Sequence, residues 1–310
     1  MHEIERVAIL GAGAMGAVLA SRFNAAPGFS TCLIARGERR ERLMRTGLTV
    51  NEETFYLPVI DPAEARMPVD LILVGLKHHQ LPEAVPGLGS LVGPGTTFIS
   101  VMNGLDSETY IGSLHGMDKV LICISVGIDA LRQEGKVTYT TLGKLQFGEA
   151  DNTQISARFS GRVSRVQAAL DRAGIPYETP PDMLRVLWWK FMINVGVNQA
   201  SAMMRAPYGL FHTSPDARAV MFGLMREVLA LAACEGIHLE EQDLAAWDAF
   251  LQTLSPQGKT SMLQDIDAGR KTEVEIFAGK AVELGRTYGV PTPMNEMALH
   301  IIRTLEDATG

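Results

Sequence analysis

Short apolar runs alternate with helical patterns along the first half of the chain. Near-continuous apolar segments are typical of parallel strands, because helices cover both faces of such a sheet. The alternation predicts a doubly wound α/β sheet of the Rossmann type. Strands are predicted at residues 6–10, 30–35, 71–76, 97–102 and 120–124, helices at 14–25, 81–91 and 106–114, and an antiparallel hairpin that closes the sheet at 137–147.

The second half of the chain has a different character. A helical pattern at 155–173 stops at Gly174, a last strand is predicted at 175–178, and Pro180-Pro181 then interrupts regular structure. We therefore predict a Rossmann-type domain over residues 1–180 and an all-α domain over 181–310. From residue 183 to 305 nearly all residues favour helix, with breaks at Pro207, Pro215, Pro256 and Pro291.

A glycine-rich turn follows the first predicted strand and opens the first helix. In this pattern Gly11 allows the tight turn, Gly13 lets a pyrophosphate approach the backbone, and Gly16 lets the helix pack on the sheet. The helix N-terminus then offers N–H groups and partial positive charge to phosphates. The segment predicted to bind a dinucleotide is Gly11, Ala12, Gly13, Ala14, Met15 and Gly16.

The end of the second strand distinguishes the two nicotinamide cofactors. Sites for NAD usually carry an acidic residue there, which binds the ribose 2′-hydroxyl. This chain has Arg36, whose guanidinium suits the 2′-phosphate of NADPH, and Arg39 and Arg40 add positive charge. We therefore predict NADPH as the cofactor and residues 1–180 as an NADP-binding domain. The alternative is a solvated basic turn, with Glu38 binding the ribose of NAD.

Two further polar positions follow predicted strands. Lys77 comes directly after the strand at 71–76, and Asn103-Gly104 after the strand at 97–102. Ligands of open parallel sheets bind beyond the carboxyl ends of the strands, so we expect Lys77 and Asn103 to meet cofactor or substrate. Taken singly, a surface lysine and a turn would explain them equally well.

A polar row crosses an apolar helix in the second half. Lys190, Asn194 and Asn198 recur at four-residue steps, so they lie on one helix face. Burying an amine or an amide without partners is costly, which favours a row that faces a ligand. The alternative is a lysine whose amine reaches solvent and two amides bonded to neighbouring backbone.

Composition excludes several classes of function. The chain has 310 residues, 46% hydrophobic and 20% charged, with a net charge of -7 that argues against non-specific nucleic-acid binding. No apolar run approaches the length that spans a membrane, and no signal peptide is evident, so we expect a cytoplasmic protein. The histidines show no zinc spacing, and no metal is expected. The three widely spaced cysteines are expected to be reduced: Cys32, Cys123 and Cys234.

The segment 260–273 completes a pattern that resembles the ketopantoate reductase (2-dehydropantoate 2-reductase) family. It reads Ser261-Met262-x2-Asp265-x3-Gly269-Arg270-x-Thr272-Glu273. Together with the Lys190, Asn194 and Asn198 row it is specific, and the resemblance covers nearly the whole chain. It implies an all-α second domain similar to the C-terminal domain of 6-phosphogluconate dehydrogenase, and NADPH-dependent reduction of 2-dehydropantoate to (R)-pantoate in pantothenate biosynthesis.

The resemblance also assigns roles to residues. It implies that Lys190 donates the proton and that Asn194, Asn198 and Ser261 bind substrate. Asn103 is then expected to touch both nicotinamide and substrate. Glu273 is expected to orient the lysine and to contact the cofactor. The remaining cofactor contacts implied are Lys77 and the backbone of Ala130.

This sequence departs from the family pattern near the expected substrate pocket. The positions are Gln199, where proline is frequent, Tyr208, and Ala278. The alternative reading is therefore a related 2-oxo acid reductase or D-2-hydroxyacid dehydrogenase for another branched or aromatic substrate. A nucleotide sensor and a 6-phosphogluconate-type dehydrogenase fit the motifs less well. The apolar helical half is compatible with a homodimer and equally with a buried core.

Overall fold

The computed structural model describes residues 3–153 and 159–308. By contacts the chain divides into two compact units, Met1–Leu184 and Arg185–Gly310. The helix predicted from residue 155 begins at Gly161, and residues 154–158 lie outside the described part.

The first unit is built on an eight-stranded sheet. Its strand order is β12-β11-β8-β7-β6-β1-β2-β5, and all neighbouring pairs are parallel except β11 with β8. The predicted doubly wound α/β fold is thus confirmed. The strands are β1 Arg6–Leu10, β2 Ser30–Ile34, β3 Leu48–Val50, β4 Glu53–Phe55, β5 Val59–Ile60, β6 Leu71–Val74, β7 Thr97–Ser100, β8 Val120–Val126, β9 Leu131–Gln133, β10 Lys136–Thr138, β11 Lys144–Gly148 and β12 Tyr177–Glu178.

Both faces of the central strands are buried, which explains their continuous apolar runs. Along β1, Val7 and Ile9 belong to one hydrophobic cluster with Phe23, whereas Ala8 and Leu10 belong to a second cluster. Successive side chains of a strand point to opposite faces, so each face carries its own core. This double burial fixes the register of the parallel sheet.

Helices cover the sheet and form nearly all of the second unit, as predicted. In the first unit they are α1 Ala14–Ala25, α2 Gly37–Thr46, α3 Leu81–Ala84, α4 Ser107–His115 and α5 Gly161–Ala173. No helix of the described residues combines the length and apolarity that crossing a membrane requires. The later helices are α6 Met183–Ile193, which begins at the unit boundary, α7 Gln199–Met204, α8 Tyr208–Thr213, α9 Pro215–Cys234, α10 Glu241–Leu251, α11 Ser261–Asp267, α12 Ala278–Tyr288 and α13 Pro293–Asp307.

The hairpin predicted over residues 137–147 is wrong. Its first half, β10, belongs to a separate sheet of order β4-β3-β10-β9, whereas β11 pairs antiparallel with β8. The tight turn lies earlier, at Glu134-Gly135, where both residues have positive φ as two-residue hairpin turns require. The backbone amides of Thr140 and Thr141 then donate to the Asp129 carboxylate, which turns the chain away from β10.

Candidate active site

Three of the predicted site segments follow adjacent parallel strands of the first unit. The glycine-rich turn follows β1, Lys77 comes shortly after β6, and Asn103 after β7. These strands are neighbours in the order β7-β6-β1. The first unit therefore brings the three segments to one edge of the sheet, as the strand-end argument predicts.

The glycine-rich turn has the geometry that a pyrophosphate requires. Gly11 has a φ of 102°, and a Cβ atom there would lie 2.5 Å from the Gly75 carbonyl oxygen. A Cβ atom on Gly16 would overlap the Gly11 carbonyl oxygen, whereas one on Gly13 would meet nothing closer than 3.6 Å. Helix α1 has no side-chain cap and no acidic residue in its first turn, so its N–H groups fit a phosphate.

Beside this turn, a cavity of about 190 Å³ extends to the end of β2. Gly11, Arg36 and Arg39 are among its lining residues. The exposed Arg36 pairs with Asp61 at 3.5 Å between Nε and Oδ1. The predicted 2′-phosphate contact thus already has a carboxylate neighbour.

Asn103 is half-buried, and residues on either side of it in the sequence form a buried polar network. The Ser100 and Ser107 hydroxyl groups lie 2.7 Å apart, and Ser107 also lies 2.7 Å from Oε2 of Glu108. Glu108 is buried, its Oε1 atom has no hydrogen-bond partner among the residues that the structure describes, and burial raises its pKa to about 7. The network links the end of β7 to the first turn of α4 on either side of Asn103.

The other two cofactor-side candidates of the first unit are less enclosed. Lys77 is exposed, and its backbone N–H donates to Oε1 of Gln80 at 3.1 Å, which caps the 3₁₀ helix His78–Gln80. Ala130 is half-buried between β8 and β9 and packs against the core. Neither side chain has a geometry that by itself assigns a ligand.

The polar row of the second unit crosses a π helix. Helix α6 ends at Ile193, the π helix spans Asn194–Asn198, and α7 follows. Asn194 and Asn198 are 4% and 7% exposed, and Nδ2 of Asn198 lies 3.4 Å from Oδ1 of Asn194. Lys190 is half-buried, and desolvation lowers the pKa of its ammonium. Single-turn π helices occur frequently at functional sites.

Gln199 completes the hydrogen bonding of this π helix. Its backbone N–H donates to Gly196, although in an α-helix it would donate to Val195. Its Nε2 atom donates instead to the Val195 carbonyl at 2.7 Å and to Oδ1 of Asn295 at 3.1 Å. Asn295 is held in turn by Glu227, whose Oε2 atom lies 2.7 Å from its Nδ2. Gln199, which stands where proline is frequent in the family, therefore has a structural role.

Ser261 is the first residue of α11, which packs against α7 and the π helix. Thr260 caps α11 by accepting from the backbone N–H of Leu263 at 3.1 Å, and its hydroxyl lies 3.2 Å from that of Ser201 in α7. This pair of contacts fixes the start of α11 beside the asparagine-bearing segment.

The end of the same motif forms a loop that hydrogen bonds hold in place. Arg270 donates to Asp265 at 2.8 Å, across a turn in which Gly269 has a φ of 60°. Thr272 donates through its backbone N–H and its hydroxyl to Oε1 of Glu306, at 2.7 and 2.6 Å. The half-buried Glu273 follows directly, so the loop fixes its backbone.

The predicted site residues thus divide between the units. The glycine turn, Arg36, Lys77, Asn103 and Ala130 lie in the first, and all the others in the second. Sequence reasoning missed the Glu108 network and the Glu306 contact. It also missed Arg132, whose Nη1 atom donates to the Ala12 carbonyl oxygen of the glycine-rich turn at 2.8 Å. Glu108, Arg132 and Glu306 stand among other polar residues in the sequence, so none of them carried a signal of its role.

Comparison with known proteins shows the family of this chain. A model described as Ketopantoate reductase PanE/ApbA matches residues 7–152, and one described as Ketopantoate reductase PanE/ApbA C terminal matches residues 182–306. The chain belongs to this family. The predicted family is therefore confirmed, and so is the class of enzyme, an NADP-dependent oxidoreductase of the 2-dehydropantoate 2-reductase type.

Individual relatives are distant but match over their full length. The 2-dehydropantoate 2-reductase of Archaeoglobus fulgidus is 28% identical over 307 residues, which cover 98% of each chain. A ternary structure of D-mandelate dehydrogenase with NADH and anilino(oxo)acetate has a TM-score of 0.85 at 22% identity and covers 98% of this chain and 99% of that one. The dimeric ketopantoate reductase from Staphylococcus aureus has a TM-score of 0.79 at 22% identity, with coverage of 98% and 100%. At these identities the two structures support the fold alone.

Proposed function

We propose that this ketopantoate reductase family member uses NADPH to reduce 2-dehydropantoate to (R)-pantoate in pantothenate biosynthesis. The observation that carries the proposal is the row of Lys190, Asn194 and Asn198, which combines a desolvated ammonium with two buried amides. In a chain of this family, such a row fits a carbonyl to be protonated beside a carboxylate to be bound.

In the proposed reaction Lys190 acts on the oxygen of the 2-oxo group. Bound NADPH supplies a hydride to the carbonyl carbon. The Lys190 ammonium stabilises the negative charge that grows on the oxygen and then gives up its proton. Because desolvation lowers its pKa, the lysine gives up a proton more readily than a solvated one.

The remaining residues bind and orient. Asn194, Asn198 and Ser261 bind the carboxylate and hydroxyl oxygens of the substrate, and amides do so without adding charge. Asn103 contacts both ligands, and Glu273 orients the ammonium and contacts the cofactor. On the cofactor side the proposed contacts are Arg36, Lys77, the backbone of Ala130 and the glycine-rich turn over Gly11, Ala12, Gly13, Ala14, Met15 and Gly16.

A second candidate is reduction of another branched or aromatic 2-oxo acid. Gln199, Tyr208 and Ala278 depart from the family pattern, and Tyr208 begins the helix that follows α7. The D-mandelate dehydrogenase, which shares the fold, has a name that refers to an aromatic 2-hydroxy acid. These departures bear on the size and polarity of the substrate rather than on the reaction type.

The test is oxidation of NADPH followed at the nicotinamide absorbance band over a panel of 2-oxo acids. We expect the highest kcat/KM with 2-dehydropantoate. A higher value with phenylglyoxylate or a branched 2-oxo acid would replace the substrate and keep the reaction class. No oxidation with any 2-oxo acid would contradict the proposal as a whole.

A further inference from the structure

Glu108 is a buried carboxyl group without a basic partner. It belongs to the first turn of α4, and no lysine or arginine of the residues that the structure describes pairs with it. Burial is the main cause that raises its pKa to about 7, and the negative charge of Asp106 raises it further. Burying a carboxyl in this way costs stability, and an apolar side chain of similar size is often more stable in such a place. This cost favours a role for Glu108 in function.

A chain of hydrogen bonds with one direction connects Glu108 to the residue before Asn103. The Ser107 hydroxyl donates to Oε2 of Glu108 at 2.7 Å, and this bond uses its only proton. The Ser100 hydroxyl lies 2.7 Å away and therefore donates to the oxygen of Ser107. Ser100 in turn accepts from the backbone N–H of Met102 at 3.3 Å. The direction of every bond in the chain thus depends on the acceptor that Glu108 provides.

The same bonds close the loop that carries Asn103. This loop, residues 101–106, connects β7 to α4, and the pair of serine hydroxyls spans its base. The loop turns at Gly104, which has a φ of 94°. A buried polar network makes its surroundings rigid when each of its members is satisfied. Without the acceptor on Glu108 the hydroxyls would be free to rotate, and the backbone beside Asn103 would lose its support.

The loop lies next to the glycine-rich turn of the first unit. The backbone N–H of Val101 donates to the carbonyl oxygen of Val74 at 2.9 Å, which continues the pairing of β7 with β6. A Cβ atom on Gly75 would lie 3.5 Å from Cγ2 of Val101 and 3.5 Å from the carbonyl oxygen of Gly11. A shift of the loop would therefore change its place relative to the strand ends at which a dinucleotide binds.

We propose that Glu108 is a positioning residue that acts through Ser107 and Ser100 to hold Asn103 against the nicotinamide of the cofactor. This inference rests on the proposed function, in which Asn103 contacts the nicotinamide. Glu108 is itself buried and acts only through the serines. A neutral carboxylic acid keeps an acceptor oxygen for Ser107, and so does a glutamine, whereas a leucine offers none.

The test is calorimetric titration in the absence of a 2-oxo acid. Dissociation constants are measured for NADPH and for adenosine 2′,5′-bisphosphate, which lacks the nicotinamide. Glu108→Leu and Ser107→Ala each break the chain, so each should weaken NADPH binding by roughly tenfold and change binding of the bisphosphate by less than about twofold. Glu108→Gln keeps the acceptor and should stay within about threefold of the wild type for both ligands.

Thr96→Val is the matched control. The Thr96 hydroxyl is also buried in the first unit, directly before β7, where it donates to the Val69 carbonyl and accepts from the Gly93 N–H. Its loss removes buried hydrogen bonds at the end of the strand opposite Asn103, so NADPH binding should change by less than about twofold. If Thr96→Val weakens NADPH binding as much as Ser107→Ala does, a general loss of stability explains both and the proposal is overturned.

A double-mutant cycle tests whether the effect passes through Asn103. In an Asn103→Ala background, Glu108→Leu should change NADPH binding by less than about twofold, because the contact that it positions is already absent. A further tenfold loss in that background would overturn the proposal, as would equal weakening of NADPH and the bisphosphate. If the wild type does not bind NADPH, the proposed cofactor is refuted as well. Normal NADPH binding by the wild type and by all variants would refute this inference alone.

Discussion

At position 190 a lysine lies in an apolar helix, and burial lowers the pKa of its ammonium. Trp188 and Phe191 are buried on either side and contact each other edge to face. A desolvated ammonium interacts more strongly with a developing oxyanion than a solvated one does. The same desolvation brings the proton closer to release at neutral pH.

We predict that Lys190→Ala lowers kcat by roughly a thousandfold while the dissociation constant for NADPH stays within about threefold, since the residue acts on the substrate oxygen. Steady-state kinetics and a fluorescence titration measure the two quantities. Lys144→Ala, which removes an exposed lysine paired with Glu178, is the control. Turnover of Lys190→Ala near that of the control would exclude the lysine from the chemistry.

The pH dependence of kcat/KM should also show the role of Lys190. Lys190 must be protonated to act as an acid, so kcat/KM should fall as pH rises through its lowered pKa. The fall should therefore occur below the pH range in which an ordinary lysine titrates. A profile that stays flat up to the usual pKa of lysine would contradict this assignment.

Glu108 gives a residue-scale prediction for stability. Its pKa in the folded protein is about 7, against 4.5 for an unperturbed glutamate. Between these values the folded state keeps a proton that the unfolded state releases, so the free energy of unfolding should decrease with rising pH, by about 3 kcal/mol in total. Denaturant unfolding at pH 5 and pH 8 measures the decrease.

The variant Glu108→Gln should lose this pH dependence, because it keeps the shape and removes the titrating group. Glu41→Gln, at an exposed position of α2, should retain it. If wild type and Glu108→Gln show the same difference between the two pH values, the carboxyl is not the source of the effect.

The roles of some single residues could be predicted from the sequence, whereas other contacts could not. Gly11 and Gly16 were assigned their turn and packing roles from spacing alone, because those roles follow from the missing side chain. The contact from Arg132 to Ala12 was not predictable, since 119 residues separate the two in sequence and the small sheet that joins them was not anticipated.

At the scale of elements, the π helix Asn194–Asn198 distinguishes this second unit from a run of ordinary helices. The apolar pattern predicted a continuous helix, but periodicity does not reveal which carbonyl each N–H selects. The π helix is stabilised by Gln199 and by the close approach of α9, since a Cβ atom on Gly196 would overlap Met225. The hydrogen-bond register of the π helix therefore sets the distance between the side chains of Asn194 and Asn198.

We predict that Gln199→Leu raises KM for the 2-oxo acid by roughly tenfold, with a smaller change in kcat and in NADPH affinity. The variant removes the bonds to Val195 and Asn295 and lets the π helix relax, at a cost of about 1–3 kcal/mol. Gln252→Leu, at the exposed end of α10, is the control. If Gln199→Leu folds and its KM is unchanged, the side-chain amide of Gln199 has no positioning role.

The hairpin error has a comparable cause. Residues 136–138 and 144–148 both have strand character, and nearness in sequence favoured pairing them. The pairing was decided by the turn at Glu134-Gly135 and by Asp129, which binds Thr140 and Thr141. The sequence carries both signals, but only the structure shows that they outweigh proximity.

For the whole molecule, the order of elements and the two classes of structure were predictable, because buried parallel strands and long helical stretches have distinct periodicities. The small sheet was not, since each of its strands is only three residues long and most of their residues are not buried. Such strands carry no alternation long enough to recognise.

We propose a homodimer for the intact protein and predict a sedimentation mass of twice the 33.7 kDa of one chain. The apolar helical half of the chain, which is compatible with a subunit interface, motivates this expectation. Analytical ultracentrifugation across a range of concentrations measures the mass directly. A single species of one-chain mass at micromolar concentration would contradict it.

In the proposed reaction, hydride passes from NADPH to the 2-oxo carbon of 2-dehydropantoate. The most direct measurement uses NADPH that carries deuterium at both C4 positions, with mass spectrometry and chiral chromatography of the product. We predict (R)-pantoate with one deuterium at C2, formed roughly a thousandfold more slowly by Lys190→Ala. Unlabelled pantoate, or labelled cofactor left intact in the presence of 2-dehydropantoate, would contradict it.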